Sequence, residues 1–364
     1  MIPLFRPYVP SETSEEVTKT LSSGCLTEGK KVAEFEQYFR DLFHLQNTVT
    51  VNSGTSALET AYELIGIRPG DEVIVTPLTC TATNIPLLRL GAKLVWADIL
   101  KDTLCIDPED VKRKITHKTK AIVQVHLGGV AADVGKQYRV DSEEDHYKIP
   151  VVSDACQALG IFRGDYTCCS FQAIKHITTA DGGMLCCMEE KESERARLIR
   201  WFGIDRTKRK PHNWTMYSVR EMMYDIEISG TKKHMNDLNA TMGIVGLNHY
   251  HEVIRYRRFL YSLYEALLED VKGIELVGRK VENTYWLATV LVENRDNFAR
   301  MLYENGVETN TVHRRNDEYT IFGGKRQDLP VMNEVDKKYL SLPLGMHVSE
   351  QDVRIICSLI KKGW

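Results

Sequence analysis

Apolar and polar positions follow two rhythms along the chain. Mainly apolar runs occur at 73–76, 94–99, 121–127, 149–155, 168–172 and 184–188. Several are almost unbroken, as expected for parallel strands buried on both faces. Between them the apolar positions recur every three or four residues, the spacing of one helical face. Val32, Phe35, Phe39 and Phe43 define such a face over Lys31–Phe43. Thr48–Asn52 reads as a further strand, followed by Ala57, Leu58, Ala61, Leu64 and Ile65 at helical spacing. Strand and helix therefore alternate, which predicts an α/β fold with an open, mostly parallel sheet between helices.

The flanks carry weaker patterns. Ser11–Leu21 reads as a helix with a thin apolar stripe. Gly135–Tyr147 is polar without a stripe and reads as a surface helix or loop. Residues 189–210 form a charged helix ending near the basic run Lys208-Arg209-Lys210, which reads as a solvated loop, and 211–236 are irregular. A long or broken helix is expected from Asp237 to Tyr264, then strands at Thr284–Val292 and Val307–Val312 among helices. Ser349 and Asp352 form a capping-box start, with Val353, Ile356, Cys357 and Ile360 on one face. These patterns divide the chain into a large domain, 1–245, and a smaller C-terminal α+β domain, 246–364.

Composition narrows the function classes. The 364 residues are 43% hydrophobic and 27% charged, which fits a folded globular protein. The net charge of −3 comes with dispersed Lys and Arg, so nothing points to nucleic acid. No apolar run reaches membrane-spanning length, and the start lacks a signal-peptide pattern. The nine cysteines are an odd number without a C-x-x-C, which supports neither a zinc site nor a thioredoxin-type centre. Two adjacent pairs sit inside apolar runs as small hydrophobes; reduced thiols in a cytoplasm are the expectation.

Three short stretches carry candidate chemistry. Lys175 lies between the apolar run ending at Gln172 and the turn signal Asp181-Gly182-Gly183. Asp154-Ala155-Cys156-Gln157 closes another run, and Ser53-Gly54-Thr55-Ser56 opens a helix. In an open α/β sheet, ligands gather at the carboxyl ends of the strands, where Asp154, Lys175 and His126 fall. The free N–H groups of a first helical turn favour an anion, and Gly54 lets the backbone approach a ligand. An amine, a carboxylate and an anion cradle are what a phosphorylated pyridine-aldehyde cofactor requires. A nicotinamide dehydrogenase is disfavoured, because no G-x-G-x-x-G follows a strand.

In order, these motifs resemble the sugar aminotransferases of the DegT/StrS family, pyridoxal-phosphate enzymes of fold type I. The resemblance runs from Ile2-Pro-Leu-Phe-Arg-Pro through Gly24-x-Leu-Thr-x-Gly, Ser53-Gly-Thr-Ser-Ala-Leu, Pro69-Gly-Asp-Glu-Val and His126-Leu-Gly-Gly. It continues through Asp154-Ala-Cys-Gln-Ala-Leu-Gly, Ser170-Phe-x-x-x-Lys and Asp181-Gly-Gly to Leu342-Pro-Leu. It implies that Lys175 attaches pyridoxal 5′-phosphate covalently and then shuttles protons. Asp154 would pair with the ring nitrogen and Gln157 with the ring hydroxyl side. Gly54, Thr55 and Ser170 would hold the phosphate, and Lys232 would reach the phosphate of a neighbouring subunit, making a homodimer with shared sites. Thr27, His313 and Arg314 are candidates for substrate contact.

The resemblance further implies glutamate as amino donor and a nucleotide-linked keto-sugar as acceptor. Dehydratases of the family replace the lysine with His; here Lys175 is present and His176 merely follows it. The short gap from Lys175 to Gly182 is that of members acting at C4. A 4-keto-6-deoxy sugar is therefore expected, with a 3-keto sugar or a keto-cyclitol as alternatives. A cofactor-binding regulator is disfavoured by the retained lysine. Two departures stand out. The loop after Pro77 lacks the usual aromatic ring, leaving Cys80 as the nearest position, and Cys25 stands where Trp is common.

Overall fold

The computed structural model describes residues 1–135, 138–141, 146–205 and 225–364. Its main sheet has seven strands. They are β1 (Asn47–Val51), β2 (Glu72–Val75), β3 (Lys93–Trp96), β4 (Thr119–Val125), β7 (Val151–Asp154), β8 (Tyr166–Ser170) and β9 (Gly183–Cys187). β5 (Arg139–Asp141) and β6 (His146–Lys148) form a separate antiparallel pair. Across the sheet the order is β1-β9-β8-β7-β4-β2-β3. Strands β8, β7, β4, β2 and β3 run parallel, whereas β9 is antiparallel to both of its neighbours.

The expected runs at these seven places are strands, and all but the edge strand β3 are largely buried from both sides. Successive residues point to opposite faces. Cys168 accordingly joins the core under α3 (Gly54–Ile65), while Cys169 joins the core formed with α2 (Lys30–Phe43). Cys187 and Cys186 divide in the same way, and all nine cysteines are free thiols. The α2 face expected from Val32, Phe35 and Phe39 is buried, with the Phe35 and Phe39 rings packed edge-on against Phe171.

Earlier helices include α1 (Thr13–Ser22), α4 (Thr81–Arg89), α5 (Pro108–Lys114) and α6 (Glu190–Ile199). Helices α7 (Asp237–Asn248) and α8 (Tyr250–Leu268) answer the expected long or broken helix, with the break at His249. A domain division at 245 and 246 falls inside α7, before that break. Beyond it, β10 (Ile274–Leu276), β11 (Ala288–Val292) and β12 (Tyr339–Leu342) form an antiparallel sheet. It packs with α8, α9 (Arg295–Glu304) and α11 (Glu350–Lys361), while α10 (Pro330–Val335) joins the large-sheet core. Helix α11 opens on the expected capping box: Asp352 N–H donates to Ser349 Oγ at 3.1 Å and Ser349 N–H to Asp352 Oδ2 at 2.8 Å.

Two expectations are corrected. Gly135–Tyr147 contains strand segments, because Arg139 to Asp141 pair with His146 to Lys148, with the single apolar positions Val140 and Tyr147 opposite each other. Val307–Val312 is not a strand of the small sheet. It makes single bridges at Val307 and Asn310, and Val312 turns away at φ 59°. The basic run Lys208-Arg209-Lys210 lies outside the described residues. The N-terminus crosses to the C-terminal part, where Ile2 N–H donates to Gly306 O at 2.7 Å and Leu4 N–H to Glu308 Oε2 at 3.1 Å.

Candidate active site

The carboxyl ends of β7 and β8 open onto a cavity of about 920 Å³ whose far wall comes from α9 and residues 308–313. It collects Gly54, Thr55, Cys80, Asp154, Gln157, Ser170, Lys175 and His313 from five separate stretches of chain.

Lys175 sits in a loop that leaves β8 and returns into β9. Phe171 N–H donates to Gly182 O at 2.9 Å, closing the loop at its base. Lys175 N–H donates to Gln172 O at 2.9 Å, and Asn239 Nδ2 donates to Thr179 O at 2.6 Å. The loop is therefore tied to α7 as well as to the sheet. The Lys175 ammonium lies 4.0 Å from the Trp286 ring centroid, and Trp286 Nε1 donates to Ile174 O at 3.0 Å. Burial pushes the Lys175 amine below its ordinary value, partly opposed by Cys156, Asp154 and Cys80. A depressed pKa raises the share of neutral amine, the form that acts as nucleophile and base.

Asp154 ends β7 and is only 4% exposed. Its Oδ1 accepts from Cys156 N–H at 3.0 Å and its Oδ2 from the Thr83 hydroxyl at 2.6 Å. Gln157 uses both ends of its amide: Oε1 accepts from Gly128 N–H at 2.8 Å, and Nε2 lies 2.9 Å from His313 Nε2. Since an amide nitrogen only donates, His313 Nε2 accepts, which places its ring proton on Nδ1. Burial, aided by the Lys175 charge, pushes His313 down to about 4, so the ring stays neutral at physiological pH. His126 is fully buried and pushed down by burial to about 3; its Nδ1 accepts from Ala132 N–H at 2.9 Å.

Helix α3 brings the expected anion cradle to the cavity wall. Ser53 caps it, its hydroxyl accepting from Ser56 N–H at 3.0 Å. The first-turn N–H groups of Gly54 and Thr55 have no partner within the helix. Gly54 also makes room within the protein itself. A Cβ there would meet Cys156 Sγ at 2.7 Å and Ser170 Cβ at 2.8 Å, so its missing side chain lets protein approach. That approach sets the Ser170 hydroxyl beside the start of α3. Gly54→Ala is expected to cost about 1–3 kcal/mol through overpacking and to weaken cofactor binding roughly tenfold by separating Ser170 from the helix start. Thermal melting and a cofactor titration check this; unchanged binding would show that the cradle does not depend on the close approach.

Three expected site residues stand outside the lining of this cavity. Thr27 O accepts from Asp237 N–H at 3.0 Å, and Lys232 O accepts from Asn52 Nδ2 at 3.4 Å beside a bridge to Trp201. Arg314 is exposed, paired with Glu318 at 2.6 Å and set over the Tyr319 ring. Conversely, Phe5, Cys156 and Trp286 line the cavity without having been expected there. Trp286 is flanked by the near-parallel rings of Phe5 and His313, at 5.5 and 6.4 Å between centroids. No local motif marks Trp286. Only the packing of the small sheet against the Lys175 loop brings it in.

Residues 7–361 match the sequence profile of the DegT/DnrJ/EryC1/StrS aminotransferase family. The chain belongs to that family. It is 28% identical to the UDP-4-amino-4-deoxy-L-arabinose–oxoglutarate aminotransferase of Shewanella sediminis, over 99% of this chain and 97% of the relative. Among solved structures, the sugar aminotransferase CalS13 of Micromonospora echinospora superposes with a TM-score of 0.88 at 31% identity, covering 100% of both chains. The PLP form of Spr1654 from Streptococcus pneumoniae gives 0.86 at 27% identity, covering 99% and 98%. This aminotransferase is a PLP-dependent enzyme acting on sugars, and its fold is that of the sugar aminotransferases. The donor set fits the cofactor: a recessed amine, a buried carboxylate and a helix start with an adjacent hydroxyl share one cavity. Among the described residues no helix is long and apolar enough to cross a membrane.

Proposed function

We propose that the enzyme moves the amino group of glutamate to C4 of a nucleotide-linked 4-keto-6-deoxy sugar, in amino-sugar biosynthesis. The observation that carries amino transfer is Lys175, a partly desolvated amine in the same cavity as Asp154 and the start of α3. The Shewanella relative's name, with its 4-amino sugar and oxoglutarate, supports both the position and the donor. The short span from Lys175 to Gly182 supports C4 as well.

When bound, pyridoxal phosphate supplies an aldehyde for amine exchange and a ring that withdraws electrons. Lys175 would attach it and, once released, carry protons to and from the reacting carbon. Asp154 would hold the ring nitrogen protonated, and Gln157 would contact the ring hydroxyl side. Gly54 and Thr55 N–H groups and the Ser170 hydroxyl would hold the phosphate. Cys80, which caps α4 without a side-chain hydrogen bond, lines the place where an aromatic ring is common. Neutral His313 would offer Nδ1–H to the substrate, with Thr27 and Arg314 at the periphery. Lys232 lies outside the cavity of its own chain, which suits the reading that Lys232 of the partner subunit completes the phosphate site in a homodimer.

The test is to supply the PLP-loaded enzyme with glutamate and, in turn, a 4-keto-6-deoxy sugar nucleotide, its 3-keto isomer and a keto-cyclitol. We expect 2-oxoglutarate release with the 4-keto substrate and an amine at C4 by NMR. Release with cyclitols alone would sink the sugar-nucleotide reading, and turnover of the 3-keto isomer alone would move the chemistry to C3.

A further inference from the structure

We propose that Thr83 is a positioning residue for the reaction. Its hydroxyl, fed by Thr79, sets the orientation and hydrogen-bond load of Asp154 and connects that carboxylate to the segment that carries His313. The inference rests on the reading that Asp154 faces the cofactor ring nitrogen.

The hydrogen bonds have only one consistent direction. Thr83 Oγ1 lies 2.6 Å from Asp154 Oδ2 and 2.8 Å from Thr79 Oγ1, and both threonines are 1% exposed. A hydroxyl has one proton to donate, and an ionised carboxylate can only accept. The Thr83 proton therefore goes to Asp154, and the Thr79 proton goes to Thr83. Donors aligned head to tail in a buried site polarise one another. Asp154 Oδ1 takes a second donor, Cys156 N–H. A carboxylate has about four acceptor positions, so room remains for a ring N–H.

The far end of this chain is anchored by a distant part of the sequence. Asn316 Nδ2 donates to Thr79 O at 2.7 Å, and Asn316 N–H donates to Pro77 O at 2.7 Å. Asn84 Nδ2 donates to Asn316 Oδ1 at 3.0 Å. The start of α4 is thereby held against the segment that presents His313 to the cavity. Placement of that segment and placement of Asp154 share one buried network.

Donors to a carboxylate favour its charged form and weaken it as a base. With Thr83 in place, Asp154 would be held facing the ring nitrogen and would support its protonated form. Without the hydroxyl, Asp154 loses one of its two protein donors, and that support would weaken.

The test is Thr83→Val, which keeps the shape and removes the hydroxyl, alongside Thr83→Ser, which restores it. The holoenzymes are loaded with pyridoxal phosphate isotope-labelled at the ring nitrogen, and its chemical shift is read by NMR. We expect Thr83→Val to move the shift toward the unprotonated ring and to lower kcat roughly tenfold, the scale of one charge-assisted hydrogen bond. KM for glutamate should stay within about twofold. Thr83→Ser should return both readouts. Thr79→Val, which leaves Thr83 intact, should move the shift the same way by a smaller amount. An unmoved shift and kcat in Thr83→Val would overturn the proposal. If that variant does not fold, an unmoved shift in Thr79→Val overturns it instead. Asp154→Asn separates the underlying reading: a shift like that of wild type there means that Asp154 does not face the ring nitrogen.

Discussion

Lys175→Ala is expected to turn over at least about a thousandfold more slowly than wild type, because on the proposed reading one residue would supply both nucleophile and proton carrier. The variant should fold. Its loop is closed by backbone bonds, from Phe171 N–H to Gly182 O and from Thr179 N–H to Phe171 O, and these do not use the amine. What it loses is the group set against Trp286 in the cavity. The visible absorbance band that covalent cofactor attachment gives should vanish, while the melting curve stays close to wild type. A variant that keeps the band would move the attachment point away from Lys175.

Arg200→Met should produce the largest loss of stability among single changes outside the site, about 3–5 kcal/mol. Arg200 is 4% exposed and sits in a buried cluster with Glu36. Its Nη1 donates to Glu36 Oε1 at 2.9 Å and to Thr50 O at 2.7 Å, and its Nη2 donates to Glu28 Oε1 at 2.5 Å. Glu36 also accepts from Thr50 N–H at 2.9 Å and pairs with Arg197 at 2.8 Å. Removing Arg200 leaves the buried carboxylate short of charge and donors. The pH dependence follows from the same cluster. Burial pushes the Glu36 carboxyl up, but Arg200, Arg197 and the Thr50 bonds together hold it below its ordinary value of 4.5. A depressed folded pKa contributes stability that is full above 4.5 and is lost as pH falls through the folded value. Wild type should therefore lose melting temperature in that acid window more steeply than Arg200→Met. Parallel acid profiles for the two proteins would contradict this account.

The sequence pattern made the large sheet legible because most of its strands are buried on both faces. Val73-Ile74-Val75 or Cys168-Cys169 can only sit in such a place, and Asp154 and Lys175 are read from the ends of those runs. The β5–β6 pair was not legible, since each strand is 3 residues long with one apolar position, Val140 or Tyr147, too short a pattern to stand out. Val307–Val312 looked like a strand but turns at Val312, and Tyr339–Leu342 takes the place beside β11. Trp286 and Thr83 were missed for a different reason. Their roles come from contacts with residues far away in sequence, Ile174 and Asp154, and no local spacing encodes those. At Gly54 the sequence shows a small residue but not the Cys156 and Ser170 side chains that close on it.

The two antiparallel edges of β9 also bear on how the protein is made. Asn47 in β1 pairs with Cys187 in β9, and among the described residues β1 has no other strand beside it. At synthesis rates of roughly 5–20 residues per second, β1 leaves the ribosome on the order of ten seconds before that partner does. Gly183, whose backbone lies against Ser53 and Gly54, belongs to that same late strand. The cavity wall around the start of α3 is therefore completed only when β9 slots between β1 and β8.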